Sequence, residues 1–194
     1  MSELILRNRQ RTRRVNLPLL RRIARVLLER LLGLQRYELG VRLVARAEMI
    51  RLNRQFLNHE GSTDVITFDY HENARRARRL PRSVAAHCQA RGDADPAIHG
   101  EIFICMDDAV AQARQFRTTW QSELIRYLAH GVLHLLGYED LNPADRRRVK
   151  REENRLLRAL ARSFPFHRLA GSEPAAAGKS RTASHSAPVV NRGS

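Results

Sequence analysis

HGVLHLLGYED, residues 130–140, carries both a helix end and a cluster of metal-binding side chains. The residues from about 120 to 136 suit a helix, and Gly137 permits the left-handed turn at which such a helix stops. Asn142 followed by Pro143, with Asp145 two residues on, is an N-terminal signature for a further helix through Val149, Leu156, Leu157 and Leu160. Residues four apart on a helix differ by about 40° of rotation, so His130 and His134 share one face near the helix C-terminus and can grip a single ion. A third ligand six residues beyond His134 would lie roughly 9 Å farther along a continued helix, but Gly137 lets the chain double back and deliver Asp140, ahead of Glu139. Asp140 could otherwise serve as a cap beside Asn142. Two histidines and a carboxylate leave one position open, as in catalytic zinc sites. Zinc lowers the pKa of water held there to about 7, so the pattern predicts hydrolysis with one Zn2+ ion. Peptidases of the HExxH type need a Glu after the first histidine, and here that position is Gly131, which argues against a zincin-like protease. Gly131 either opens the helix face to a bulky substrate or permits close helix packing.

Working outward, the chain divides into four strands and five helices. Leu4 and Ile5, followed by Arg at 7, 9, 11 and 13, predict a strand over residues 3–15 with one solvated face. Asn16 is the expected N-cap of an amphipathic helix through Leu20, Ile23, Ala24, Leu27, Leu28 and Leu31, with Pro18 in its first turn and Gly33 as its stop. Leu39, Val41, Leu43 and Ala45 alternate as a half-buried strand, and Met49, Leu52 and Phe56 mark a second helix that stops by Gly61. VITF at 65–68 and EIFIC at 101–105 are apolar enough for central strands. Asp107 is placed to cap a helix through Ala109, Val110, Ala113 and Phe116. The fold class expected is α+β, a single domain over residues 1–170, with the metal site at a helix C-terminal end. Residues 171–194, rich in Ala, Ser, Pro and Gly, are expected to be a disordered tail.

Between the apolar strands, residues 71–99 form an expected basic loop with Arg75, Arg76, Arg78 and Arg79. Arg146 and Arg147 begin the last helix close to the metal motif. With a formal net charge of +15 over 194 residues, these six arginines are the candidate nucleic-acid-binding residues, since such an excess gathers polyanions by counterion release. The alternative is a merely solvated arginine-rich surface. The 43% hydrophobic content suffices for a core. No apolar run approaches the roughly 20 residues of a membrane span, and the start MSELILRNRQRTRR lacks a secretory pattern, so a cytoplasmic protein without membrane contact is expected. Two cysteines, Cys88 and Cys105, cannot make a disulfide framework.

Three blocks resemble the YbeY-type endoribonucleases, or rRNA maturation factors. HGVLHLLGYED is similar to the family pattern HGxLHLxGYDH, LNRQFLNHEGSTDVITF at 52–68 to LNxxYRxKDxPTDVLSF, and GEIFIC at 100–105 to GDIVIC. The likeness covers residues 1 to about 165. It implies a mixed sheet packed with helices and the ion in a cleft. The implied activity is a cytoplasmic, metal-dependent, single-strand-specific endoribonuclease that matures the 3′ end of small-subunit rRNA and serves ribosome quality control. Implied partners are single-stranded rRNA in the small ribosomal subunit and ribosomal proteins. Three positions depart from the pattern: the third histidine is Asp140, the arginine of YRxKD falls on Leu57, and its lysine falls on His59. A cation expected near the scissile phosphate is thus missing, with an arginine of the basic loop as candidate replacement. A non-enzymatic rRNA-binding assembly factor with a structural metal is the rival expectation.

Overall fold

Sequence periodicity and capping set the elements of the computed structural model, which describes residues 2–71 and 96–171. The basic segment that carries Arg75, Arg76, Arg78 and Arg79, and the expected tail, lie outside the described residues. Strand β1 (Glu3–Asn8) leads to α1 (Leu17–Arg25), which continues as a π-helical turn over Val26–Leu31. Strand β2 (Tyr37–Val44) follows, then α2 (Arg46–Leu52) with its own π-helical extension Asn53–Leu57. Strands β3 (Val65–Asp69) and β4 (Ile98–Cys105) precede α3 (Met106–Gln115), α4 (Trp120–Leu135) and α5 (Pro143–Ser163). The result is the expected α+β architecture. One sheet of four strands has the order β1-β2-β4-β3, in which β2 pairs in parallel with β1 and β4 while β3 runs antiparallel to β4.

Alternation along β4 sorts its side chains onto two faces. Ile102 and Ile104 join Leu39, Val41 and Leu43 of β2 under α1, α4 and α5, whereas Phe103 and Cys105 pack with Val44, Ile66 and Met49 on the α2 side. Burial on both faces explains the apolar composition of EIFIC. VITF is equally apolar but lies at the sheet edge among the described strands; Val65 packs on the large core and Ile66 and Phe68 on the small one. No helix among the described residues is long and apolar enough to cross a membrane.

Two local readings need correction. The arginine alternation does not prolong β1 to residue 15, because the buried side chain of Gln10 folds the chain back. Its Nε2 donates to Asn8 Oδ1 at 2.8 Å and to the Arg13 carbonyl at 2.7 Å, while Arg13 N donates to Gln10 Oε1 at 2.9 Å. Asp107 does not cap α3, whose N-cap is Cys105. Its carboxylate instead accepts from Thr12 Oγ1 at 2.9 Å and from Arg46 N at 2.7 Å, satisfying the first turn of α2, whose own N-cap residue Ala45 has no side-chain oxygen. The caps read from local sequence do form: Asn16 accepts from Leu19 N, and Asn142 from Ala144 N and Asp145 N.

Candidate metal centre

Helix α4 packs against β4 so closely that a Cβ on Gly131 would lie 2.8 Å from Ile102 Cγ2. Gly131 is therefore a packing glycine that faces the sheet, and it opens no face to substrate. With that contact fixing the rotation of α4, His130 and His134 lie together on one side of it, about 100° and 60° round the helix from Gly131. Their Nε2 atoms lie 2.9 Å apart. Gly137, at φ +88°, reverses the chain after the helix end, as its Cβ-free backbone allows. Asp140 is returned to the pair, and one ligand atom from each of His130, His134 and Asp140 lies within 4.8 Å of the other two. Glu139 is exposed and outside this group.

The partners of each side chain fix what it presents. His130 Nδ1 is 2.6 Å from Glu153 Oε1, so a proton on Nδ1 is held by the carboxylate and the Nε2 lone pair is turned to the cleft. Burial alone would lower the His130 pKa, but the hydrogen bond and charge of Glu153, with Asp64 and Asp140, outweigh it and leave it raised. His134 is lowered, first by burial and then by the neighbouring His130, so it favours the neutral form that binds metal. Arg146 Nε donates to the Asp140 carbonyl at 2.9 Å, bracing the loop that carries the carboxylate. Two imidazole nitrogens and one carboxylate, with His130 held from behind by Glu153, fit one divalent cation.

A cleft of about 220 Å³ opens on His130 and Asp140 of this group, with Asp64, Arg126, Arg146 and Lys150 among its walls. A second depression, lined by Ser62, Thr63 and Asp108 among others, shares Asp64 and Gln112 with it. Asp64 thus lines both depressions and Thr63 only the second, and Asp64 Oδ1 also accepts from Val65 N at 3.0 Å. Of the two arginines expected at the start of α5, Arg146 lines the cleft and Arg147 does not. Leu57 is 54% exposed and lines neither depression, so its position contributes nothing to the walls.

Sequence reasoning missed Glu153 and Arg126. Glu153 is 5% exposed on the face of α5 that buries Val149, Leu156 and Leu160. A carboxylate within an apolar stripe needs a buried partner, and that was the available signal. Arg126, one turn before His130, reaches Glu123 at 3.3 Å, Glu153 at 3.7 Å and Asn154 Oδ1 at 3.1 Å.

The family model for Endoribonuclease YbeY matches residues 5–161. The Endoribonuclease YbeY of Chlorobium phaeovibrioides is 34% identical over 112 residues, covering 58% of this chain and 61% of that protein. That of Salinibacter ruber is 33% identical over 110 residues, 57% of this chain and 62% of the relative. The matches thus span less than two thirds of those relatives' own length. The solution structure of a Thermotoga maritima protein superposes with a TM-score of 0.55 at 22% identity over 89% of this chain and 99% of that one, a likeness of fold. With sheet, cleft and histidine pair in place and the match running through all of them, the chain belongs to the Endoribonuclease YbeY family.

Proposed function

We propose that this chain is a metal-dependent endoribonuclease that cleaves single-stranded RNA, with one Zn2+ held by His130, His134 and Asp140. The observation that carries the reading is the convergence of those three side chains within 4.8 Å beside a cleft with cationic walls. Zinc so held supplies a Lewis acid and water of lowered pKa for attack on a phosphodiester. The protein's own groups orient and neutralise. Glu153 fixes the His130 ring, Arg146 braces the Asp140 loop, and Arg126 and Lys150 stand where phosphate charge would accumulate. Compared with a third histidine, Asp140 lowers the charge of the centre. The family name and the net charge of +15 support RNA over a peptide substrate. We place the activity in the cytoplasm, in small-subunit rRNA 3′-end maturation and ribosome quality control, with the small ribosomal subunit and its proteins as partners.

Metal content and cleavage of single-stranded rRNA by the purified protein test this together. The wild type should contain zinc and cleave, and His134→Ala should do neither. Equal cleavage by both would assign the activity to a contaminant. One observation favours a second reading, an rRNA-binding assembly factor with a structural metal: the family's arginine position is an exposed leucine outside the cleft. Zinc-loaded wild type that binds RNA and leaves it intact would select that reading.

A further inference from the structure

Along α3, Asp108, Ala111, Gln112 and Gln115 line the second depression. Their spacing of i, i+3, i+4 and i+7 defines one helix face, and its next member is Phe116. Phe116 is the C-cap of α3, with φ −96° and ψ 7°, so its ring lies one turn beyond Gln112 on the same side. It is 60% exposed. A single exposed phenylalanine is ordinary on a protein surface. This one stands one turn beyond Gln112, at the end of a groove that opens, through the shared Asp64 and Gln112, onto His130 and Asp140.

The electrostatics around the ring favour an anionic chain. Arg117, the next residue after Phe116, is exposed and has no ion pair among the described residues. Asp108, the acidic group nearest along the stripe, is already neutralised by Arg46 at 2.6 Å. Gln112 and Gln115 offer neutral amides. Arg117 holds a left-handed backbone, φ 53°, at the helix end where glycine would be unstrained.

We propose that Phe116 is a stacking platform for one base of a single-stranded RNA whose backbone, gathered by Arg117 and the net charge of +15, follows the α3 groove into the metal cleft. Unpaired bases offer a π-face of any identity, so the platform selects single strands without selecting sequence. The inference deepens the nuclease reading and rests on it for the direction of the groove.

The test uses the full-length zinc-loaded protein and a fluorescein-labelled, mixed-sequence single-stranded RNA, with affinity read by anisotropy at two salt concentrations and cleavage read separately. Phe116→Ala should weaken binding by about tenfold, and Phe116→Tyr should restore it. Its salt dependence should match the wild type, since no phosphate contact is removed. An abasic nucleotide walked along the RNA should cost the wild type a similar factor at one position, and should cost Phe116→Ala nothing there. Wild-type affinity in Phe116→Ala overturns the platform, as does a change confined to self-association, which would make the ring a contact between copies. If the wild type binds but does not cleave, and the Phe116 and abasic effects coincide, the platform stands and the nuclease reading falls. If it cleaves while Phe116→Ala binds and cleaves normally, only the platform falls.

Discussion

His130 Nδ1 and Glu153 Oε1 lie 2.6 Å apart, joining helices α4 and α5 behind the candidate metal centre. Arg126 at 3.7 Å and Lys150 at 3.9 Å share the other carboxylate oxygen of Glu153. The buried carboxylate is thereby compensated, and it holds the imidazole in the tautomer that presents Nε2 to an ion. Glu153→Gln keeps the shape but loses the charge. It should lower zinc affinity by about 10–100-fold, measured by chelator competition, with the fold retained by circular dichroism. Unchanged affinity would assign Glu153 to packing alone.

Helix α4 meets the sheet at Gly131 and again where Leu135 approaches Gly100, and the two glycines should respond differently. The atoms nearest a Cβ on Gly131 belong to the Ile102 side chain, at 2.8, 3.0 and 3.3 Å, whereas on Gly100 the nearest is the Phe68 carbonyl oxygen at 2.3 Å. Gly131→Ala should cost about 1–3 kcal/mol in urea denaturation, and Ile102→Val should recover part of it. Gly100→Ala should cost more and resist rescue, because a paired strand cannot move away. Equal rescue of both would contradict the packing described for β4.

Legibility in the sequence followed the distance over which each cause acts. Asn16, Asn142 and Gly137 were readable because their partners lie within a few residues. The histidine pair and Asp140 were readable because helix rotation and one reversal bring them together. Asp107 was misread because its partners Thr12 and Arg46 are 95 and 61 residues away. Glu153, 23 residues from His130, is fixed by helix packing, which periodicity does not encode. Gly131 was ambiguous until the position of Ile102 resolved it.

Two buried tyrosines separate a satisfied hydroxyl from an unsatisfied one. Tyr37 Oη donates to Glu29 Oε1 at 2.6 Å, and its pKa is pushed up to about 12, chiefly by burial, then by that hydrogen bond and the Glu29 charge. Because the folded value exceeds the unfolded one of about 10, the stabilisation is complete below about pH 10 and is lost as pH rises through about 12. Tyr127 Oη has no hydrogen-bond partner among the described residues. Tyr37→Phe should therefore cost about 1 kcal/mol at pH 8 and flatten the loss in that alkaline window, while Tyr127→Phe should be neutral or stabilising at pH 8. Urea midpoints at both pH values check this, and equal costs at pH 8 would refute the distinction.

The two arginines at the start of α5 differ in what they hold. Arg146 Nε donates to the Asp140 carbonyl at 2.9 Å and its side chain lines the cleft, whereas Arg147 is exposed and lines no part of it. Arg146→Ala frees the loop that presents the carboxylate and removes a cleft cation. It should weaken zinc binding by about tenfold in the absence of RNA, and reduce the salt dependence of RNA binding by about one phosphate contact. Arg146→Lys should restore the salt dependence but not the zinc affinity, because an ammonium lacks the fixed Nε donor. Arg147→Ala should leave both unchanged. Calorimetric zinc titrations of the three variants decide it: equal affinities would show that Asp140 is held without Arg146.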